Sequence, residues 1–311
     1  MVELLLAHGA VVDVTDKDFR TPCHWAALHN KHKVIDILMK QGADINSKTR
    51  EQCTPLLLAS SKGHMETVQF LIKNGAQIAE TDFSNKTVLH VAVEAGHYPI
   101  ILTLLSEPSC FNLIAAVDFT DQTALHYAAK NGSTLIITAL IKHGSKLDVR
   151  DSDGKTPLHV AAENDNDTAV ETLYQASQTE LNDGNDDGKT PLMLACESGN
   201  YKTVKALLVL GADILIRDED FCTALILAAR EGYAKIVQIL IVNLAEVNHY
   251  DKIKNTALHF ACSNGHIDCI RVLLRNKADV TLKNSYGKTA LDQAIDNKQS
   301  EAAVALLKHS R

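Results

Sequence analysis

The chain has 311 residues, 46% of them hydrophobic and 22% charged, with a net charge of −7. So apolar a composition excludes intrinsic disorder, because burial can offset the ordering entropy. No apolar run approaches the ~20 residues that a spanning helix needs. Aromatic residues make up only 5%, with a single Trp, so the core must be filled by Leu, Ile, Val and Ala. That profile suits stacked thin helices better than one large enzyme-like core.

From the N-terminus, residues 1–15 (Leu4-Leu5-Leu6-Ala7-His8-Gly9-Ala10) read as the second helix of a repeat that lacks its first half. Met1–Leu6 has no basic region and is not a signal peptide. A Thr followed by a small residue or Pro and then an apolar one recurs at Thr21, Thr54, Thr87, Thr123, Thr156, Thr190, Thr223, Thr256 and Thr289. Six of the eight intervals are 33 residues, and the others are 36 and 34. In each period Thr is expected to cap a helix. Pro22, Pro55, Pro157 and Pro191 occupy the first helical position, where no N–H is needed. Ala pairs such as Ala128-Ala129 allow close helix approach. Gly63, Gly96, Gly132, Gly199, Gly232 and Gly265 end the first helix in a left-handed conformation. A second helix follows, with apolar pairs such as Ile236-Val237 and Leu240-Ile241 at i, i+3, i+4 spacing. Gly-Ala and a short hairpin then lead to the next Thr.

Two periods depart from this pattern. The third gains three residues around Ser106–Phe111. The fifth gains one near Asn182-Asp183-Gly184 and replaces its turn Gly with Asn164-Asp165-Asn166-Asp167. Eight acids and no Lys or Arg lie between Glu163 and Asp187, so this stretch carries −8 and the rest of the chain +1. Without a basic stripe to neutralise phosphates, a nucleic-acid partner is not expected. Seven cysteines with no CxxC pair read as reduced thiols, which predicts a cytoplasmic location.

Three constellations imitate chemical sites. His259, Cys262, His266 and Cys269 have the composition of a zinc site, but the fourth repeat fills the same slots with His126, Ala129, Ser133 and Ile136. Gly184-x3-Gly188-Lys189-Thr190 is one residue short of a P-loop. Asp183-x-Asn185-x-Asp187-Gly188 copies half a calcium loop but has Leu194 where the bidentate Glu is needed. No cofactor, metal or catalytic set is therefore expected, and the chain reads as non-enzymatic.

Thr156-Pro157-Leu158-His159-Val160-Ala161 and Thr256-Ala257-Leu258-His259-Phe260-Ala261, at a period of 33, resemble the ankyrin-repeat family, and the resemblance covers the whole chain. It implies an all-α solenoid of helix–turn–helix repeats joined by short β-hairpin loops. A single array over 1–311 is expected, with a partial repeat at 1–15 followed by 16–48, 49–81, 82–117, 118–150, 151–184, 185–217, 218–250, 251–283 and 284–311. Solenoids generally need polar capping helices, so a piece of a longer array or larger protein is expected. Within the family, residues from Thr179 to Arg311 are similar to the cytoplasmic ankyrin region of TRPA-type transient receptor potential channels. The segments concerned are Glu180-Leu181-Asn182-Asp183-Gly184, Asn255–Ala261, Asp296-Asn297-Lys298 and Leu306–Arg311.

The resemblance implies a scaffold that binds protein partners in a concave groove, through Lys17, Asp18, Arg20, Trp25, His29, Phe83, Phe119, Tyr127, Asp153, Glu163, Asp187, Phe221, Arg230, Phe260 and Tyr286. Trp25 reads either as an interface anchor or as a ring packed on the next repeat. The alternative function is the regulatory region of a TRPA-like cation channel, tethered to a membrane through segments outside this chain. Leu38-x5-Asp44-Ile45-Asn46 and Leu240-x5-Glu246-Val247-Asn248 further resemble substrates of asparaginyl hydroxylases, at Asn46 and Asn248.

Overall fold

The computed structural model describes residues 1–177 and 181–309. Thr179, Glu180, Ser310 and Arg311, used in the subgroup resemblance, lie outside them. Contacts cluster into two compact units, Met1–Ser152 and Asp153–Arg311.

All nine Thr of the pattern are helix N-caps in extended backbone, with φ between −76° and −94°. Where the third helical residue is His, the Thr N–H donates to its Nδ1, at 3.0 Å for His24 and 3.2 Å for His259. Accepting at Nδ1 leaves the proton on Nε2, which donates to a backbone carbonyl further on, in the following repeat for His24, His90 and His259 and at the end of its own repeat for His159. His24 reaches Cys53, His90 Gln122, His159 Asp183 and His259 Lys288, all within 2.9–3.2 Å. One imidazole thus caps its own helix and ties down the next repeat.

In the N-terminal unit the first helices of successive repeats are Pro22–Leu28, Pro55–Ser61, Val88–Glu94 and Ala124–Lys130. In the C-terminal unit they are Pro157–Glu163, Pro191–Ser198, Ala224–Glu231, Ala257–Ser263 and Ala290–Asp296. At seven or eight residues each is too short to persist alone. Each packs on the next first helix of its unit through buried small residues such as Ala27, Ala59, Ala92 and Ala128, or Ala195, Ala228 and Ala261. The second helices place Leu38, Leu71, Leu104 and Leu140, and then Leu173, Leu207, Leu240, Leu273 and Leu306, at one recurring buried slot. Each contributes ~1.5–3 kcal/mol of apolar burial. The all-α expectation holds.

The β-hairpins between repeats do not form as strands. Among the described residues only isolated bridges occur, Thr81 with Thr87 and Tyr250 with Thr256. The cause is local: the first residue of each turn takes the N–H groups that a ladder would use. Asp16 Oδ1 accepts from the amides of Asp18 and Arg20 at 2.9 and 3.0 Å. Asp82, Asp118, Asn185, Asp218, Asp251 and Asn284 repeat this geometry.

Both departures from the period are accommodated locally. Pro108 opens a 3₁₀ helix, Pro108–Ala115, that buries Cys110, Leu113 and Ile114 and leaves Phe111 exposed. Asp165 takes the left-handed position of the missing turn Gly at φ 57°, and its carboxylate accepts from Thr203 Oγ1 at 3.0 Å.

Candidate protein-interaction surface

The carboxylate-centred turns present two consecutive side chains at each tip, and backbone bonds tie each tip to the next. In the N-terminal unit the amide of Arg50 donates to Asp18 O, Phe83 to Glu51 O and Phe119 to Ser84 O, at 2.9–3.0 Å. In the C-terminal unit Asp186 reaches Asp153 O, Glu219 reaches Asp187 O and Lys252 reaches Asp220 O, at 2.9–3.2 Å. Residues on these tips are therefore held on a continuous hydrogen-bonded edge within each unit.

Trp25 lies beside the first of these turns. Its ring is 43% exposed, so it is not sealed against the following repeat. Nε1 donates to Asp16 Oδ2 at 3.3 Å, Arg20 lies 5.4 Å from the ring centroid, and His29 stacks at 6.1 Å. The backbone amide of Arg20, together with the amide of Asp18 and the indole N–H of Trp25, holds the Asp16 carboxyl below its ordinary value. The ring is thus fixed at its edge by an anion and covered by a cation within cation–π range. Lys17 and Asp18 flank it, with Asp18 3.9 Å from Arg20. Phe83 and Phe119 are exposed on later tips.

Tyr127 corrects the sequence expectation. It is only 8% exposed, and its hydroxyl donates to Asp118 Oδ2 at 2.6 Å. Burial and that bond push the phenol pKa up. Burial would raise Asp118 as well, but hydrogen bonds from Tyr127, Thr120 and Gln122 outweigh it and hold the carboxyl low. The same slot is buried at Val160, Leu194 and Leu227, so the ring lies inward as those side chains do, and Asp118 supplies the partner that its hydroxyl needs.

In the C-terminal unit Asp153, Asp187 and Tyr286 are exposed, Phe260 is half-buried, and two expected residues are engaged in ion pairs. Glu163 takes Lys155 at 3.0 Å, while Arg230 binds Glu197, which also holds Lys189. Phe221 is exposed at φ 61°, with Lys252 5.8 Å from its ring. Beside it His249 stacks on Tyr250, and a cavity of about 660 Å³ is lined by Arg217, Phe221, Asn248, His249 and Tyr250.

Sequence reasoning missed Phe19 and Tyr250. Phe19 stands at φ 59° with Arg50 5.6 Å from its ring. Its signal is a bulky residue in the turn slot that Gly154, Gly188 and Gly287 fill elsewhere. Asn46 and Asn248 take equivalent places, their carbonyl oxygens accepting from the amides of Gln77 and Asp279 at 2.8 and 2.9 Å.

The site imitations are absorbed by the fold. Both nitrogens of His259 are hydrogen-bonded, and His266 Nε2 is bonded to Arg230 O. Burial pushes the Cys262 and Cys269 thiols up to about 12, away from the thiolate that a metal needs. Lys189 pairs with Glu197 and Thr190 caps a helix. Among the described residues no group of three or more His, Cys, Asp or Glu could hold a metal ion. None of their helices is long and apolar enough to cross a membrane.

A family model described as ankyrin repeats in three copies matches residues 1–49, 47–113, 106–183 and 225–311, and a single ankyrin-repeat model matches 187–219. The chain belongs to the ankyrin-repeat family, whose members are generally protein-interaction modules. No curated protein was found to match it. Neither family model narrows the chain to TRPA-type arrays. Of the segments that carried that likeness, Asn255–Ala261 does work shared by most repeats here: Thr256 caps the helix and His259 ties down the next turn.

Proposed function

We propose that this chain is a non-enzymatic scaffold of the cytoplasm that binds partner proteins through its turn tips and the exposed sides of its first helices. The observation that carries this reading is the Trp25 cluster. An exposed indole oriented by Asp16, Arg20 and His29 is a preorganised anchor of the kind that dominates binding energy, and orienting it in advance lowers the entropy cost of association. Phe19, Phe83 and Phe119 extend the apolar edge. A pull-down with quantitative mass spectrometry, comparing the wild type with Trp25→Ala, tests it. Partners should be depleted about tenfold or more with little change in Tm, since the ring is half in solvent. Equal recovery with both proteins overturns the role of Trp25.

The narrower reading, the regulatory array of a TRPA-like channel, rests on the sequence segments named above. A full-length gene encoding ~20-residue apolar spans soon after Arg311 would carry it.

A further inference from the structure

The second helices of the C-terminal unit form a surface that the proposed function does not use. Tyr201–Val209, Ala234–Val242, Ile267–Arg275 and Ser300–His309 lie side by side, each packed on the next. Their charges oppose those of the whole chain. Lys202, Lys205, Lys235, Arg271, Arg275 and Lys308 face only Asp268 and Glu301, although the chain carries −7. Arg271 pairs with Asp268 at 3.2 Å. Among the described residues the other five cations make no ion pair.

Between these helices run two grooves of about 550 and 580 Å³. The first has Ile239, Val242 and Val272 along it, with Lys235 on one side and Asp268, neutralised by Arg271, on the other. The second has Leu274, Val304 and Ala305 between Arg275 and Lys308. Apolar side chains also stand out from this surface: Val209 is 79% exposed and Leu244 84%.

Leu244 is the sharpest of these observations. It occupies the slot after the second helix that Gly42, Gly75, Gly144 and Gly211 fill in other repeats, and it adopts their left-handed backbone at φ 72°. A leucine there is strained where glycine is not, and its side chain is almost wholly in water. Folding gains nothing from it. A residue that costs stability and exposes an isobutyl group at the end of Ala234–Val242, next to a smaller recess lined by Leu208, Ile214 and Leu215, points to something that covers it.

We propose that this face docks an acidic amphipathic helix of a partner protein. Charge complementarity selects the occupant: the grooves offer apolar floors for a stripe at i, i+3, i+4, with Lys235 beside the first and Arg275 and Lys308 beside the second to meet carboxylates. Grooves between parallel ridges match the side of a cylinder. The preceding second helix, Asp167–Ser177, carries Asp167 and Glu171 and no cation, so the docked helix stops short of it.

The test uses the whole chain and a labelled helical peptide with Leu on one stripe and Glu on its flanks, followed by fluorescence anisotropy. A matched peptide with Lys for Glu is the control. The Glu peptide should bind about tenfold tighter or better, with affinity falling as salt rises. Combining Lys235→Glu with Arg275→Glu should weaken it by a similar factor. Leu244→Gly should weaken it several-fold while Tm holds or rises, because the strain is relieved. That variant separates docking from folding. Equal affinity for the two peptides overturns the proposal, and so does undiminished binding by Leu244→Gly. Sedimentation with phosphatidylserine vesicles without peptide binding would assign the face to a membrane surface instead, and overturn it too.

Discussion

Phe19 and Phe221 hold left-handed backbone at φ 59° and 61° in a turn slot that glycine fills elsewhere in the chain. For a bulky residue this conformation costs about 1–2 kcal/mol, and neither ring recovers it by burial, since both are exposed. Glycine would remove the strain but add backbone entropy to the unfolded state, worth about 0.5–1 kcal/mol in the other direction. The strain is the larger of the two. Phe221→Gly is therefore expected to raise stability by up to about 1 kcal/mol, read as a higher urea midpoint at unchanged slope. A lower midpoint would mean that contact with Lys252 and His249 outweighs the strain. The sequence carried this signal, but only by contrast: Phe is unremarkable in a turn until its slot is aligned with Gly154 and Gly188. Tyr127 was not legible at all. Apolar Val160, Leu194 and Leu227 bury the same slot, but that a phenol can follow them depends on Asp118 lying within reach of its hydroxyl.

The helix starts show how local chemistry made the elements readable. Thr, Pro and the αL glycines act within a few residues, so their roles follow from spacing alone, and all nine Thr caps are found where the spacing puts them. The family resemblance implied hairpin loops, and the turns hold no strands because Asp16 and its equivalents capture the amides first, which spacing alone does not reveal. The 3₁₀ helix at Pro108–Ala115 was legible only as an insertion. One start differs from the rest. Thr223, like Thr54 and Thr190, has no His at its third helical position, but where those two hydroxyls accept from the amides of Leu57 and Met193, the buried Thr223 Oγ1 has no hydrogen-bond partner. Thr256, one repeat later, shares a capping box with His259. An orphan buried hydroxyl contributes nothing, whereas a capping oxygen contributes about 1 kcal/mol. Thr223→Val is expected to leave stability unchanged or slightly raised, while Thr256→Val costs about 1–2 kcal/mol. Chemical denaturation of the two variants side by side checks this, and equal losses would reject the assignment.

Across the whole chain the recurring imidazoles add up to a dependence on pH. Burial lowers the pKa of His24, His90 and His259, and the hydrogen bonds to backbone carbonyls offset this only in part. Each must stay neutral, because its Nδ1 accepts the Thr amide. A lowered native pKa means that the unfolded chain binds more protons near pH 6.5 and below. The stabilisation is therefore complete above about pH 6.5 and is lost as pH falls through and below that value. Carboxylates held low, such as Asp118, act only near their own lower range and leave this window to histidine. Because neighbouring repeats stabilise one another, protonating one His weakens both its own helix cap and the following turn. Tm should fall steadily from pH 7.5 to 5.5. His90→Gln should be less stable at pH 7.5 yet lose less on acidification, its proton uptake on unfolding being smaller by up to one. A flat or rising profile in the wild type, or an undiminished slope in the variant, would show that these histidines are not what sets the acid limit of the fold.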